Sequence, residues 1–166
     1  MELSIFSDWV AHWHGLELRC ALGRSGVTDL KVEGDGATPV GAFSLRKIIF
    51  RADRVSPPKT ILPIEALGPE DGWCDAPDHA DYNRQVILPH VASCEPLWRS
   101  DHLYDLIAVT SYNASPVIPG RGSAIFIHIA RDDYTGTEGC IAFSDPDLRM
   151  IMGEWREGDI IRVCNN

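Results

Sequence analysis

The sequence predicts a mostly β fold, a sandwich or barrel of short strands with one helix close to the C-terminus. Three observations carry this. The apolar runs are short and rich in branched residues. Gly, Pro and Asp turns separate seven of them, the spacing of a sandwich or barrel. One stretch stands out by repeating its apolar residues at helical spacing, and it lies near the end.

The elements follow in chain order. "MELSIFSDWVAHWHG" has acids at Glu2 and Asp8 and no long apolar run, so it does not read as a signal peptide. Cytoplasmic work, a removed leader and another export route all stay open. "LELRCALG" (16–23) alternates weakly, as a strand does. "VGAFSLRKIIF" (40–50) follows a turn rich in Gly, Asp and Pro. Residues 51–82 are proline-rich with little periodicity and read as a long irregular excursion, a candidate substrate wall. "RQVILP" (84–89) reads as a strand and "ASCEPLWRSD" (92–101) as a second, short helix. "YDLIAVTSYN" (104–113), "SAIFIHIA" (123–130), "CIAFS" (140–144) and "DIIRVC" (159–164) complete the strands. In "SDPDLRMIMGEW", Ser144 or Asp145 can cap the helix and Pro146 suits its first turn. Leu148, Ile151, Met152 and Trp155 form its apolar face, and Gly158 follows as a stop.

The 166 residues suit a single domain spanning 1–166. A net charge of −9 repels phosphate backbones and acidic membranes, which argues against nucleic acid as a partner. No stretch is long and apolar enough for a membrane span. The five cysteines contain no C-x-x-C pair, the usual mark of a structural zinc site, and their odd number leaves at least one thiol unpaired. "HWH" (12–14) has strand spacing for a metal, yet near a terminus it reads as surface. "DAPDHADYN" (75–83) and "PGRGS" (119–123) read as turns. "EGDGATP" (33–39) lacks the Lys-Ser/Thr of a phosphate loop.

One pair of residues points to chemistry. His128 sits inside the apolar run "AIFIHIA", and Cys140 ends the polar loop "RDDYTGTEG". A catalytic thiol needs a base and oxyanion donors. Gly139 allows close approach of a substrate, and the amides of Gly139 and Cys140 can face a developing oxyanion. Antiparallel strands joined by the loop 131–137 would set His128 beside Cys140. The imidazole would then hold the thiol as thiolate near neutral pH. The competing reading is a cysteine that only packs in the core.

"GDGATPVGAF" (34–43), the strand histidine His128 and "TEGCIAF" (137–143) resemble, in this order, the L,D-transpeptidase catalytic domain. The likeness runs over residues 20–163. It is closest to a compact branch with "EGDGATP", "DGWCD" and "TEGC" blocks. The resemblance implies a β sandwich with a helix after the catalytic cysteine, no metal or cofactor, and peptidoglycan stem peptides as donor and acceptor. It implies an envelope or periplasmic location and acylation by carbapenems. Carried over, Cys140 is the nucleophile, His128 the base, and Gly139 with Cys140 the oxyanion donors. The common motif Ser/Thr-His-Gly-Cys has Glu138 here in the histidine place, and Ala142 stands where Arg or Asn is usual. An ionised Glu138 would raise the thiol's pKa unless it points away, meets a cation or binds a positive group. Asn83 and Arg84 are expected to line the cleft, with Arg84 or Arg99 gripping a stem carboxylate. Glu138 and Tyr112 complete the expected substrate contacts. The alternatives are an L,D-carboxypeptidase or amidase on the same scaffold, and a non-catalytic muropeptide-binding module.

Overall fold

The computed structural model describes residues 1–165. Strands β1 (Glu2–Ile5), β2 (Val10–Trp13) and β3 (Leu16–Arg19) form an antiparallel meander. Two-residue strands β4 (Val27–Thr28) and β5 (Thr38–Pro39) pair in parallel around the "EGDGA" turn. Strands β6 (Gly41–Phe43), β7 (Leu45–Phe50), β8 (Ile64–Ala66) and β9 (Asp71–Cys74) follow. Then come β10 (Gln85–Ile87), β11 (Cys94–Pro96), β12 (Leu106–Thr110), β13 (Phe126–Ile129) and β14 (Ile141–Phe143). Helix α1 (Asp145–Glu154) and β15 (Ile160–Val163) end the fold.

The larger sheets run β3-β2-β1-β15-β6 and β14-β13-β12-β7-β8, and a small third sheet runs β10-β9-β11. The second large sheet is the centre of the molecule. Strand β12 is buried at all five positions, as a strand covered on both faces must be. Its alternation splits the core in two. Ile48, Leu106, Ala108, Ile127, Ile141 and Phe143 face the first sheet and α1. Ile49, Ile107, Val109, Phe126 and Cys140 face the other way, toward Leu67, Trp73, Leu97 and Tyr104. The mostly β expectation and the helix after the cysteine therefore hold. Ser144 caps α1, its hydroxyl accepting from the Asp147 N–H, and Leu148, Ile151 and Met152 are buried.

All seven expected strand segments contain strands. Three expectations fail. Residues 51–82 are not wholly irregular, because β8 extends the central sheet beside β7 and β9 founds the third sheet. Residues 92–101 hold β11 instead of a short helix. Pairing with β9 from Cys94 to Pro96 outweighs the local pattern there, and Pro96 sits in an edge strand that needs no donor on its open side. Finally, β13 and β14 are parallel, not antiparallel. The loop between them runs back along the sheet, held by a bridge from Thr137 to Gly23.

Candidate active site

The parallel register sets Ala142 opposite His128. Cys140 lies two residues before Ala142, so thiol and imidazole share one face of the central sheet, one diagonal step apart. Both open into a cleft of about 350 Å³ whose lining includes Lys31, Glu95, Arg99, Tyr104, Arg131 and Glu138. The wrong strand direction in the sequence reading thus leaves the pairing of the two residues intact.

Each partner has a defined setting. The His128 Nδ1 lies 2.8 Å from the Ile129 carbonyl. A carbonyl only accepts, so Nδ1 carries the proton and Nε2 keeps its lone pair. The Tyr104 ring stands edge-on to the imidazole at 5.2 Å. The Cys140 thiol donates to the Ala124 carbonyl at 3.0 Å, and the Phe126 N–H approaches the sulfur at 3.4 Å. Among the described residues no hydrogen bond joins thiol to imidazole.

Gly139 is required where it stands. Its φ is +137°, and a Cβ would lie 2.9 Å from the Ala37 carbonyl oxygen. Its N–H donates to Thr137 Oγ1 at 3.1 Å. Thr137 Oγ1 also donates to the Cys140 carbonyl at 2.6 Å.

A family model described as the YkuD L,D-transpeptidase catalytic domain matches residues 8–163. The chain belongs to the YkuD family. No curated protein and no solved structure matches it. YkuD membership associates the chain with peptidoglycan and typically with the cell envelope. No helix among the described residues is long and apolar enough to cross a membrane.

In this YkuD domain the expected binding residues divide. Arg99 and Glu138 line the cleft. The Arg99 guanidinium is held by Asp101 at 2.6 and 2.8 Å, and Glu138 meets Arg24 at 2.9 Å. The Arg24 pair draws the Glu138 carboxyl below its ordinary range, so the departure from the common motif is met by a cation. Asn83 and Arg84 instead line a second pocket with Arg46, Lys47 and Gln85. Tyr112 lines neither pocket and donates its hydroxyl to the Arg121 carbonyl at 2.6 Å.

Asn83 nevertheless shapes the site from behind. Its Oδ1 accepts from the Ala124 N–H at 3.0 Å and from Trp73 Nε1 at 2.9 Å. It thereby fixes the residue whose carbonyl receives the Cys140 proton. The sequence reading missed Lys31, Glu95 and Tyr104. Lys31 is 5% exposed, lines the cleft and pairs with Asp35. Tyr104 donates to Glu95 at 2.6 Å. A lysine just before the "EGDGATP" turn, and a Tyr two residues before β12, were the available signals. The "HWH" histidines do not form a site: His12 faces Glu17 and His14 faces Glu154.

The electrostatics correct one more expectation. Burial, followed by the Glu95 charge, pushes the Cys140 thiol up to about 12. Burial pulls the His128 imidazole down to about 4. The resting pair is therefore a neutral thiol and a neutral base, not a thiolate held by an imidazolium. Such a pair can act by moving the proton as the sulfur attacks, which is general-base catalysis.

Proposed function

We propose that this chain is an L,D-transpeptidase acting on peptidoglycan stem peptides in the cell envelope. The observation that carries the reading is Cys140 and His128 on one face of adjacent parallel strands in a cleft bordered by both charge signs. Cys140 is the nucleophile. Its proton passes to His128 Nε2 as Sγ bonds to the carbonyl carbon of the L,D amide. The Cys140 amide then faces the oxyanion, since the Gly139 N–H is engaged by Thr137. Collapse breaks the C–N bond, and the departing D-residue amine takes the proton from His128. The acceptor amine attacks the thioester carbonyl, gives its proton to His128, and the sulfur leaves and recovers that proton. Lys31, Arg99 and Arg131 suit the donor's carboxylates, while Glu33, Asp75 and Glu95 suit an incoming ammonium.

The test is product analysis by mass after incubation with purified muropeptides. A cross-linked dimer with loss of the terminal D-residue supports the reading, and Cys140→Ala is expected to remove it while the fold remains. Release of the D-residue without a dimer would favour a carboxypeptidase. A stable carbapenem adduct is expected on Cys140, absent in Cys140→Ala. No adduct and no turnover would leave a binding module.

A further inference from the structure

Away from the active cleft, a second set of nucleophilic and ligand-type side chains meets on the third sheet. Cys74 on β9 and Cys94 on β11 are direct partners in the antiparallel register. His90, on the turn between β10 and β11, reaches the same point. One ligand atom each from Cys74, His90 and Cys94 lies within 4.8 Å of the others. A second trio, His79, Asp81 and His90, meets the same criterion and shares His90. Cys74 is fully buried, and His90 is 16% exposed.

We propose that Cys74, Cys94 and His90 supply the three protein ligands of a tetrahedral zinc site, with water in the fourth position, that pins the wall of the cleft. Two thiolates with one imidazole are a zinc donor set whose fourth tetrahedral position holds water. The His90 Nε2 lies 3.1 Å from Asp81 Oδ2. That contact is a hydrogen bond: His90 Nδ1 accepts the Ala92 N–H, so Nε2 carries the proton and donates to Asp81. Bonds of ~2.3 Å to sulfur and ~2.0 Å to nitrogen set neighbouring ligand atoms roughly 3.3–3.8 Å apart on one ion, inside the 4.8 Å limit that these three atoms already meet.

The proton balance is simple. Both thiol protons leave to solvent as the Zn–S bonds form. His90 stays neutral, binding through one ring nitrogen and keeping its single proton on the other. The Ala92 carbonyl, now the acceptor of the Cys94 thiol at 3.4 Å, is released at the same step.

The alternative use of two facing cysteines is a disulfide. It needs no imidazole, yet His90 reaches both sulfurs from the turn between β10 and β11. The sheet also has reason to need a metal. Its strands are four, three and three residues long. It nevertheless carries Asp75 and Glu95 into the cleft, directly after Cys74 and Cys94. A metal at the two cysteines would hold both acids in position without touching Cys140.

The test uses the intact chain, purified under reductant, stripped with a chelator and titrated with Co²⁺. One equivalent per chain is expected, with an intense near-ultraviolet thiolate-to-cobalt band and visible bands of a tetrahedral ion. Zn²⁺ should displace it and shield Cys74 and Cys94 from alkylation at least tenfold. Cys74→Ser and Cys94→Ser should each lose much of the near-ultraviolet band, and Cys140→Ala should keep it. If the serine variants fail to fold, the shielding of the two thiols in the unaltered chain decides. The proposal is overturned by no cobalt spectrum and no shielding in the unaltered chain. It is overturned equally by a spectrum lost in Cys140→Ala, or by a Cys74–Cys94 disulfide in peptide maps of the freshly isolated protein.

Discussion

His128 is the residue whose chemistry the fold changes most. Buried and neutral, it takes a proton only near pH 4, whereas the unfolded chain takes it near 6.5. Between these values the unfolded state binds more protons, so stability falls as pH falls. Its full contribution is present above pH 6.5, and the loss reaches about 3 kcal/mol below pH 4. His128→Gln is expected to flatten this limb in urea melts at pH 4 to 7; an unchanged limb would mean that the imidazole binds its proton equally well in the folded and unfolded chain. Glu95 acts on the thiol from the far side of Tyr104. Its charge is the second cause, after burial, of the high Cys140 pKa. Glu95→Gln keeps an acceptor for the Tyr104 hydroxyl and removes the charge. Alkylation of Cys140 by iodoacetamide at pH 8 is expected to rise several-fold, and a fall or no change would mean that the carboxyl is already neutral.

The loop that delivers Cys140 depends on backbone shape more than on side chains. The bridge from Gly23 to Thr137 and the hydroxyl of Thr38, which accepts the Gly23 N–H at 2.8 Å, bind this loop to the "GDGATP" turn. That contact explains why the two sequence blocks occur together. Gly139 lies at the tightest point. Gly139→Ala adds left-handed strain of about 1–3 kcal/mol and forces the Ala37 carbonyl to move. Thermal unfolding is expected to drop by roughly 3 °C per kcal/mol, with turnover lost beyond what the lost stability explains. An alanine variant with native melting and full activity would remove the close-approach argument. The strand β11 makes the opposite point. Nothing local in "CEP" predicts it, and its pairing partner β9 lies twenty residues upstream.

The central sheet divides the molecule into a supporting half and a working half. Trp155 belongs to the first, stacked on Trp13 at 5.7 Å between the first sheet and α1. Trp73 belongs to the second, edge-on to Phe126 at 4.9 Å and donating to Asn83. Truncating either large ring to alanine costs about 3–5 kcal/mol. Trp155→Ala is expected to lower stability while the alkylation rate of Cys140 in the folded protein stays as it was. Trp73→Ala loosens Asn83 and hence Ala124, and should change both. Equal effects on the thiol from the two variants would deny that the halves act separately.

The mostly β class, seven strand segments, the capped helix and the nearness of Cys140 to His128 were legible in the residues. Each rests on local physics: alternation along a strand, a hydroxyl at a helix start, a glycine beside a thiol. Strand direction was not legible, because parallel and antiparallel neighbours bury the same residues and differ only in the path of the loop. Nor was the lining of the cleft. Asn83 and Arg84 were expected to line the cleft together, yet the turn that ends at Arg84 points Asn83 inward as a clamp and leaves Arg84 at another pocket. Lys31, Glu95 and Tyr104 reach the cleft from three separate segments. The convergence of Cys74, His90 and Cys94 is likewise a product of sheet register, since spacings of sixteen and four carry no zinc signature. The low histidine and high thiol pKa values follow from burial between two packed layers, a property of how distant segments cover one another and not of any stretch of chain.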